Sequence, residues 1–150
     1  MIRLLALLCV LALPAVAQEP ILRSEIDEAE AIPGQAVSLR LSILVPTFLP
    51  DPPVWPSYEA PNLLVRVAAT SPVSERIDGV TWSGVSRRYL IAPMVPGAMS
   101  LPAQEIAVTW ADPETNAPRQ AVLSTAPLTI TGVVPEGTEG LDPFLAADDL

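Results

Sequence analysis

Three oxygen-bearing side chains alternate along one polar stretch, at Asp112, Glu114 and Asn116. Oxygen ligands at alternate positions are how many calcium-binding loops begin. Such a loop would continue with a glycine and end with a bidentate glutamate, whereas this chain has Ala117 and Leu123 at those places. The pattern therefore predicts a solvated hairpin tip, which could still offer an acidic side chain to a partner.

A second acidic group comes early in the chain and comprises Glu25, Asp27, Glu28 and Glu30. It could face a basic patch on a partner or bind a divalent ion weakly. The other interpretation is a solvated sheet edge, where charge discourages edge-to-edge association. The sequence favours the solvated edge, and we predict neither a metal site nor a cofactor.

Several aromatic side chains have two interpretations: Phe48, Trp55, Tyr58 and Trp82. Exposed aromatic rings on a rigid, extended chain could hold a sugar or a partner protein. Alternatively, the rings close the side or end of the folded domain. Trp110 alternates with Ile106 and Val108, which predicts a core position for it.

The composition excludes much catalytic chemistry. The 150 residues include no histidine, and all 8 basic residues are arginine. A Ser-His-Asp triad, an imidazole metal ligand, a Schiff-base lysine and a P-loop lysine are thereby excluded. A carboxylate pair for glycoside hydrolysis stays open, but nothing marks a particular pair. We predict a protein that is not an enzyme.

The first 17 residues have the pattern of a secretory signal peptide. A basic start at Arg3 leads into an apolar run over 4–13, and Ala15-Val16-Ala17 is a small-x-small cleavage pattern. We predict cleavage between Ala17 and Gln18, which removes the single cysteine, Cys9, and leaves 133 residues with a net charge of −10. That charge argues against nucleic acid and anionic lipid as partners, and no later stretch is apolar enough to span a membrane.

The rest of the chain predicts short strands separated by proline and glycine. The strands fall within 21–26, 36–45, 63–69, 73–77, 80–92, 101–110 and 119–131, the last broken near Pro127, and Asp78-Gly79 predicts a turn between two of them. Six prolines make residues 46–61, the proline-rich segment, an extended surface run. Ser71-Pro72 is expected to break a strand. The adjacent arginines Arg87 and Arg88 are expected on opposite faces of their strand, where one could pair with the acidic group and the other could reach a partner.

This count of about seven to nine strands predicts an all-β, immunoglobulin-like antiparallel sandwich. The predicted organisation is a signal peptide (1–17), one sandwich domain (18–134), and a linker leading towards a second domain (135–150).

Three motifs in order resemble the N-terminal domain of the BatD family, the bacterial oxygen-tolerance or aerotolerance proteins. Pro33-Gly34-Gln35 leads into an alternating strand after the acidic stretch. The run Arg87-Arg88-Tyr89-Leu90-Ile91-Ala92-Pro93 is followed by Pro96-Gly97, Leu101-Pro102 and the strand 106–110. Gly140-Leu141-Asp142-Pro143-Phe144-Leu145-Ala146 resembles the entry to the family's second domain.

The resemblance implies an exported, periplasmic, non-catalytic domain that assembles with von Willebrand factor A-type proteins in an envelope complex. Family members are usually several sandwich domains long and anchored by a C-terminal membrane helix, which this sequence does not contain. Such partners often carry a metal that takes an acidic side chain from the other protein, so the two acidic groups are candidate donors. The alternative function is a carbohydrate- or envelope-polymer-binding module using Trp55, Tyr58 and Trp82.

Overall fold

Nine β-strands make up the regular structure of the computed structural model, which describes residues 18–137. They are β1 (Ile21–Ile26), β2 (Glu30–Ala31), β3 (Val37–Val45), β4 (Leu63–Ile77), β5 (Val80–Pro93), β6 (Gly97–Leu101), β7 (Glu105–Ala111), β8 (Pro118–Ser124) and β9 (Leu128–Gly132). The predicted signal peptide with its cleavage site, and nearly all of the predicted linker, lie outside the described residues. Within 18–137, no helix is long and apolar enough to cross a membrane.

One layer is a four-stranded antiparallel sheet in the order β1-β3-β5-β4. β3 alternates from Val37 to Ile43, with the apolar Leu44 as the exception on the outer face, and the side chains on its inner face are buried: Val37, Leu39, Leu41, Ile43 and Val45. β-branched and leucine side chains at period two favour such a half-buried strand. The predicted strand at 36–45 is confirmed.

The second layer is built from one interrupted hairpin. β6 pairs with β9 and β7 pairs with β8, and both pairings keep one register: Leu101 faces Leu128, and Glu105 faces Ser124. Between them Pro102 and Pro127 lack the N–H that a ladder needs. The amide of Thr125 still donates to the carbonyl of Gln104 at 2.8 Å, which carries the hairpin across the gap.

Two further pieces complete this layer. β2 adds to β9 as a parallel strand, and Val54 of the proline-rich segment forms an isolated bridge with Ala107 of β7. The proline-rich segment thus occupies the place of the third strand beside the hairpin. The four-stranded sheet, in the order β1-β3-β5-β4, corresponds to strands A, B, E and D of an immunoglobulin domain. The layer opposite it resembles the sheet of strands C, F and G. The predicted immunoglobulin-like β-sandwich is confirmed.

The two layers enclose a single hydrophobic core. Its buried members outside β3 are Tyr58, Tyr89, Ile91, Leu101, Ile106, Val108, Trp110 and Ile130. Trp110 is 3% exposed, so its predicted core position is confirmed. The core draws on both sheets and on the proline-rich segment, which is thereby held to the domain.

One predicted break does not occur. β4 runs through Ser71-Pro72 without interruption and shifts register only between Val67 and Ala69. Proline is tolerated there because β4 is an edge strand, with ladder bonds on one side only. The predicted turn at Asp78-Gly79 is confirmed: both residues have positive φ (49° and 79°), as a tight two-residue hairpin requires.

Candidate functional site

The loop between β7 and β8 closes around Asp112. One carboxylate oxygen accepts hydrogen bonds from the backbone N–H groups of Glu114 (2.9 Å) and Thr115 (3.0 Å). The other oxygen meets Nε of Arg119 at 2.6 Å. The two backbone hydrogen bonds, with a smaller contribution from Arg119, hold the pKa of Asp112 below its usual value. Asp112 is therefore used to shape its own loop.

The other two members of the alternating set differ from Asp112. Glu114 and Asn116 are exposed, and Asn116 adopts the left-handed region with φ of 56°. Its backbone N–H donates to the carbonyl of Asp112 at 2.9 Å, which completes the turn. The loop is the hairpin tip that the sequence favoured, and the described residues contain no group of three acidic or sulfur side chains arranged for a metal.

The early acidic group is spread over two surfaces. Asp27 accepts hydrogen bonds from the N–H groups of Glu28 (2.8 Å) and Ser38 (2.7 Å), so it joins the end of β1 to the start of β3. Glu28 and Glu30 are exposed and line a recess beside β2. Glu25 lies elsewhere, on the outer face of the four-stranded sheet and opposite Arg40.

An apolar groove lies between the proline-rich segment and the β4–β5 hairpin. It has a volume of about 600 Å³, with Phe48 and Trp55 on one wall and Pro72 and Val85 on the other. Phe48 is 50% exposed. The guanidinium carbon of Arg87 lies 5.1 Å from the ring centroid of Trp55, a cation–π distance. The half-buried Trp55 is thus presented at this groove, as the sequence analysis allowed.

Two of the other aromatic candidates are buried. Tyr58 is 3% exposed and Trp82 is 6% exposed, so neither ring can stack on a ligand in this conformation. Tyr58 was predicted as a partner-binding residue, but in this structure its ring packs against Tyr89 inside the sandwich. Burial raises the pKa of both tyrosines.

The paired arginines point to opposite faces, as predicted. Arg87 lines the groove and donates from Nε to the Thr70 hydroxyl at 3.1 Å. Arg88 lies on the outer face, directly across from Arg40. Within 18–137, neither forms an ion pair with the early acidic group. The sequence analysis missed Arg40, whose meeting with Arg88 depends on the register between β3 and β5.

No family model, curated protein or solved structure matches this chain. The resemblance to the BatD family thus rests on the sequence motifs alone and stays a prediction.

Proposed function

We propose that this chain is an exported, non-catalytic interaction domain, equivalent to the first sandwich of a BatD-type envelope protein. Its role is assembly with von Willebrand factor A-type proteins in an envelope complex for stress or oxygen tolerance. Support comes from the ordered motifs of the sequence and from an immunoglobulin-like sandwich of the kind the resemblance implies. Such sandwiches serve many functions, so the argument for binding depends on the surface.

The observation that carries the proposal is the groove beside the proline-rich segment. Its lining combines Phe48, Trp55 and Arg87, and aromatic and arginine side chains are the types enriched in protein interfaces. The prolines of the segment restrict the backbone, which lowers the entropic cost of fixing this wall on binding. Its rigid, partly apolar walls favour a protein partner.

Only some of the predicted acidic side chains are available to bind a metal ion carried by the partner. Asp27 and Asp112 are held by their own loops through backbone hydrogen bonds. The exposed carboxylates of the predicted groups that are not held in this way are Glu25, Glu28, Glu30 and Glu114. Glu28 and Glu30 lie in one recess and are the stronger pair of donors.

The proposal is tested by cross-linking the chain from Gln18 to Leu150 to envelope proteins in the presence of magnesium, followed by mass spectrometry. Recovery of von Willebrand factor A-type proteins is expected, with clear loss for Phe48→Ser and Trp55→Ala. Met94→Ala removes an equally exposed apolar side chain (50%) outside the groove and serves as the matched control. Equal recovery by all variants would reject the groove as the interface, and recovery of no such partner by folded protein would reject the proposal.

A second comparison addresses the acidic donors. Glu28→Gln with Glu30→Gln should weaken partner binding in magnesium and leave binding in EDTA unchanged. Glu25→Gln and Glu114→Gln test the outer sheet face and the hairpin tip in the same way. Unchanged affinity for all four substitutions would remove the metal-bridged mechanism while leaving the groove as a separate interface.

The carbohydrate-binding alternative has fewer accessible aromatic residues than the sequence suggested. Of its three aromatic residues only Trp55 is accessible, and Arg87 already covers part of its ring. A saturable shift of tryptophan fluorescence on glycan titration, abolished by Trp55→Phe and Trp55→Ala, would favour this function over protein assembly.

A further inference from the structure

We propose that Arg40 and Arg88 form a binding site for an oxyanion on the outer face of the four-stranded sheet. The site lies on the opposite face of the sheet from Arg87 and the groove, so it goes beyond the proposed assembly function. Its ligand is a small molecule or chemical group that carries phosphate or carboxylate oxygens.

The two arginines are brought together by strand register. Arg40 of β3 and Arg88 of β5 are directly paired positions, so their side chains leave the same face of the sheet side by side. They line a cavity of about 400 Å³ together with Ser71 and Ser86. Two guanidinium groups and two hydroxyl groups thus border one recess, and all four can donate hydrogen bonds.

Neither Arg40 nor Arg88 forms an ion pair or a side-chain hydrogen bond with any of the described residues. Glu25 sits opposite Arg40 on β1 but does not pair with it. Like charges directly opposite on neighbouring strands destabilise a sheet. An oxyanion between the two arginines would remove that repulsion.

Side chains from both edges of the sheet meet over this face. Arg23 of β1 forms an ion pair with Glu75 of β4, although two strands lie between these edges. Three strand spacings separate the edges by about 14 Å, so the two long side chains extend across the sheet. On the same face Leu44 and Ser86 are buried, at 2% and 8% exposure.

The chemistry of the lining selects the ligand class. Guanidinium groups match the paired oxygens of carboxylate and phosphate, and the resulting charge-assisted hydrogen bonds are stronger than neutral ones. A cavity of about 400 Å³ admits a small organic anion. The lining contains no carboxylate or nucleophile beyond two serine hydroxyls, so the site is assigned to binding and not to a reaction.

The test is calorimetric titration of the chain from Gln18 to Leu150 at low ionic strength, with inorganic phosphate and with citrate as separate probes. Sodium chloride at matched ionic strength is the blank. We expect saturable binding of at least one probe, with a dissociation constant of about 1 mM or tighter. Arg40→Gln and Arg88→Gln should each weaken it at least about tenfold, which corresponds to roughly 1.4 kcal/mol.

Arg76→Gln is the matched control, because Arg76 is on the same β4 strand as Ser71 but outside the cavity. It removes the same charge and should change affinity less than about twofold, or roughly 0.4 kcal/mol. Arg88→Lys keeps the charge, loses the forked donor geometry and is expected to weaken binding as well. Tighter binding of phosphate would assign a phosphate-bearing ligand, and tighter binding of citrate a polycarboxylate.

The proposal is overturned if neither probe saturates, or if Arg76→Gln weakens binding as much as Arg88→Gln. The second result would mean that net charge alone attracts the anion. Circular dichroism of each variant keeps unfolded protein out of the comparison, and Arg88→Lys supplies the result if a glutamine variant does not fold.

Discussion

Tyr58 and Tyr89 meet edge to face, with ring centroids 5.2 Å apart and ring planes at 89°. This is a favoured geometry for an aromatic pair. The Tyr89 hydroxyl donates to the buried carbonyl of Pro56 at 2.8 Å, while the Tyr58 hydroxyl is buried without a hydrogen bond of ordinary geometry. The pair attaches the proline-rich segment, and hence one wall of the groove, to β5.

Tyr89→Phe should destabilise the domain by about 1–3 kcal/mol, because it leaves the buried Pro56 carbonyl unpaired. Tyr58→Phe removes a hydroxyl without such a partner and should be close to neutral. Urea unfolding followed by circular dichroism gives both values. Equal losses would show that the hydroxyl of Tyr89 does not anchor the segment.

Local pattern was sufficient to predict most of the fold. The alternation of β3, the Asp78-Gly79 turn and the core position of Trp110 depend on residues close together in sequence. The continuity of β4 through Pro72 was not predictable in this way, because proline's effect depends on whether the strand lies at an edge. Edge position is a property of the sheet order and not of local sequence.

The candidate sites were predicted less well, for a related reason. Asp112 was recognised as part of a polar loop, but its hydrogen bonds to the Glu114 and Thr115 amides depend on the turn geometry. Tyr58 looks like Trp55 in sequence, yet one is buried and the other lines the groove. The Arg40–Arg88 pair arises only when β3 and β5 are placed in register.

Asp112 should make stability depend on pH in acid. Its folded-state pKa is lowered, first by the backbone hydrogen bonds, from an unfolded value of about 3.9. Its contribution to the free energy of unfolding is therefore complete above a pH of about 4, and it is lost as the pH falls through the lower folded-state pKa. Asp112→Ala should lower the thermal midpoint at pH 6, and the difference from the unmodified protein should shrink towards pH 2.5.

The control is Glu114→Gln, which changes a charge in the same loop without removing either hydrogen bond to Asp112. Its midpoint should follow that of the unmodified protein across the range. A constant difference between Asp112→Ala and the unmodified protein from pH 6 to 2.5 would contradict the assigned role of the carboxylate.

Gly84 of β5 should not tolerate a side chain. A Cβ atom there would overlap the backbone carbonyl oxygen of Ile43, so the paired strands would have to separate. Overpacking typically lowers the free energy of unfolding by about 1–3 kcal/mol, and we expect Gly84→Ala to lie at the upper end of that range or above it. Gly79→Asn is the comparison, since nothing lies within 4 Å of that position and asparagine tolerates its positive φ. Similar unfolding midpoints in urea for the two variants would contradict the close approach at Gly84.

Repulsion between Arg40 and Arg88 predicts an unusual gain in stability on removing a charge. Arg88→Gln should raise the free energy of unfolding by up to about 1 kcal/mol at low ionic strength without ligand, because like charges face each other across the strands. The gain should diminish in 1 M sodium chloride, where screening acts over about 3 Å. Arg76→Gln again controls for the change in net charge. Removing a positive charge makes this acidic protein more negative, and the added self-repulsion should lower its stability. If Arg88→Gln and Arg76→Gln change stability equally at low salt, the two arginines do not repel measurably, and the energetic part of the oxyanion-site argument is lost.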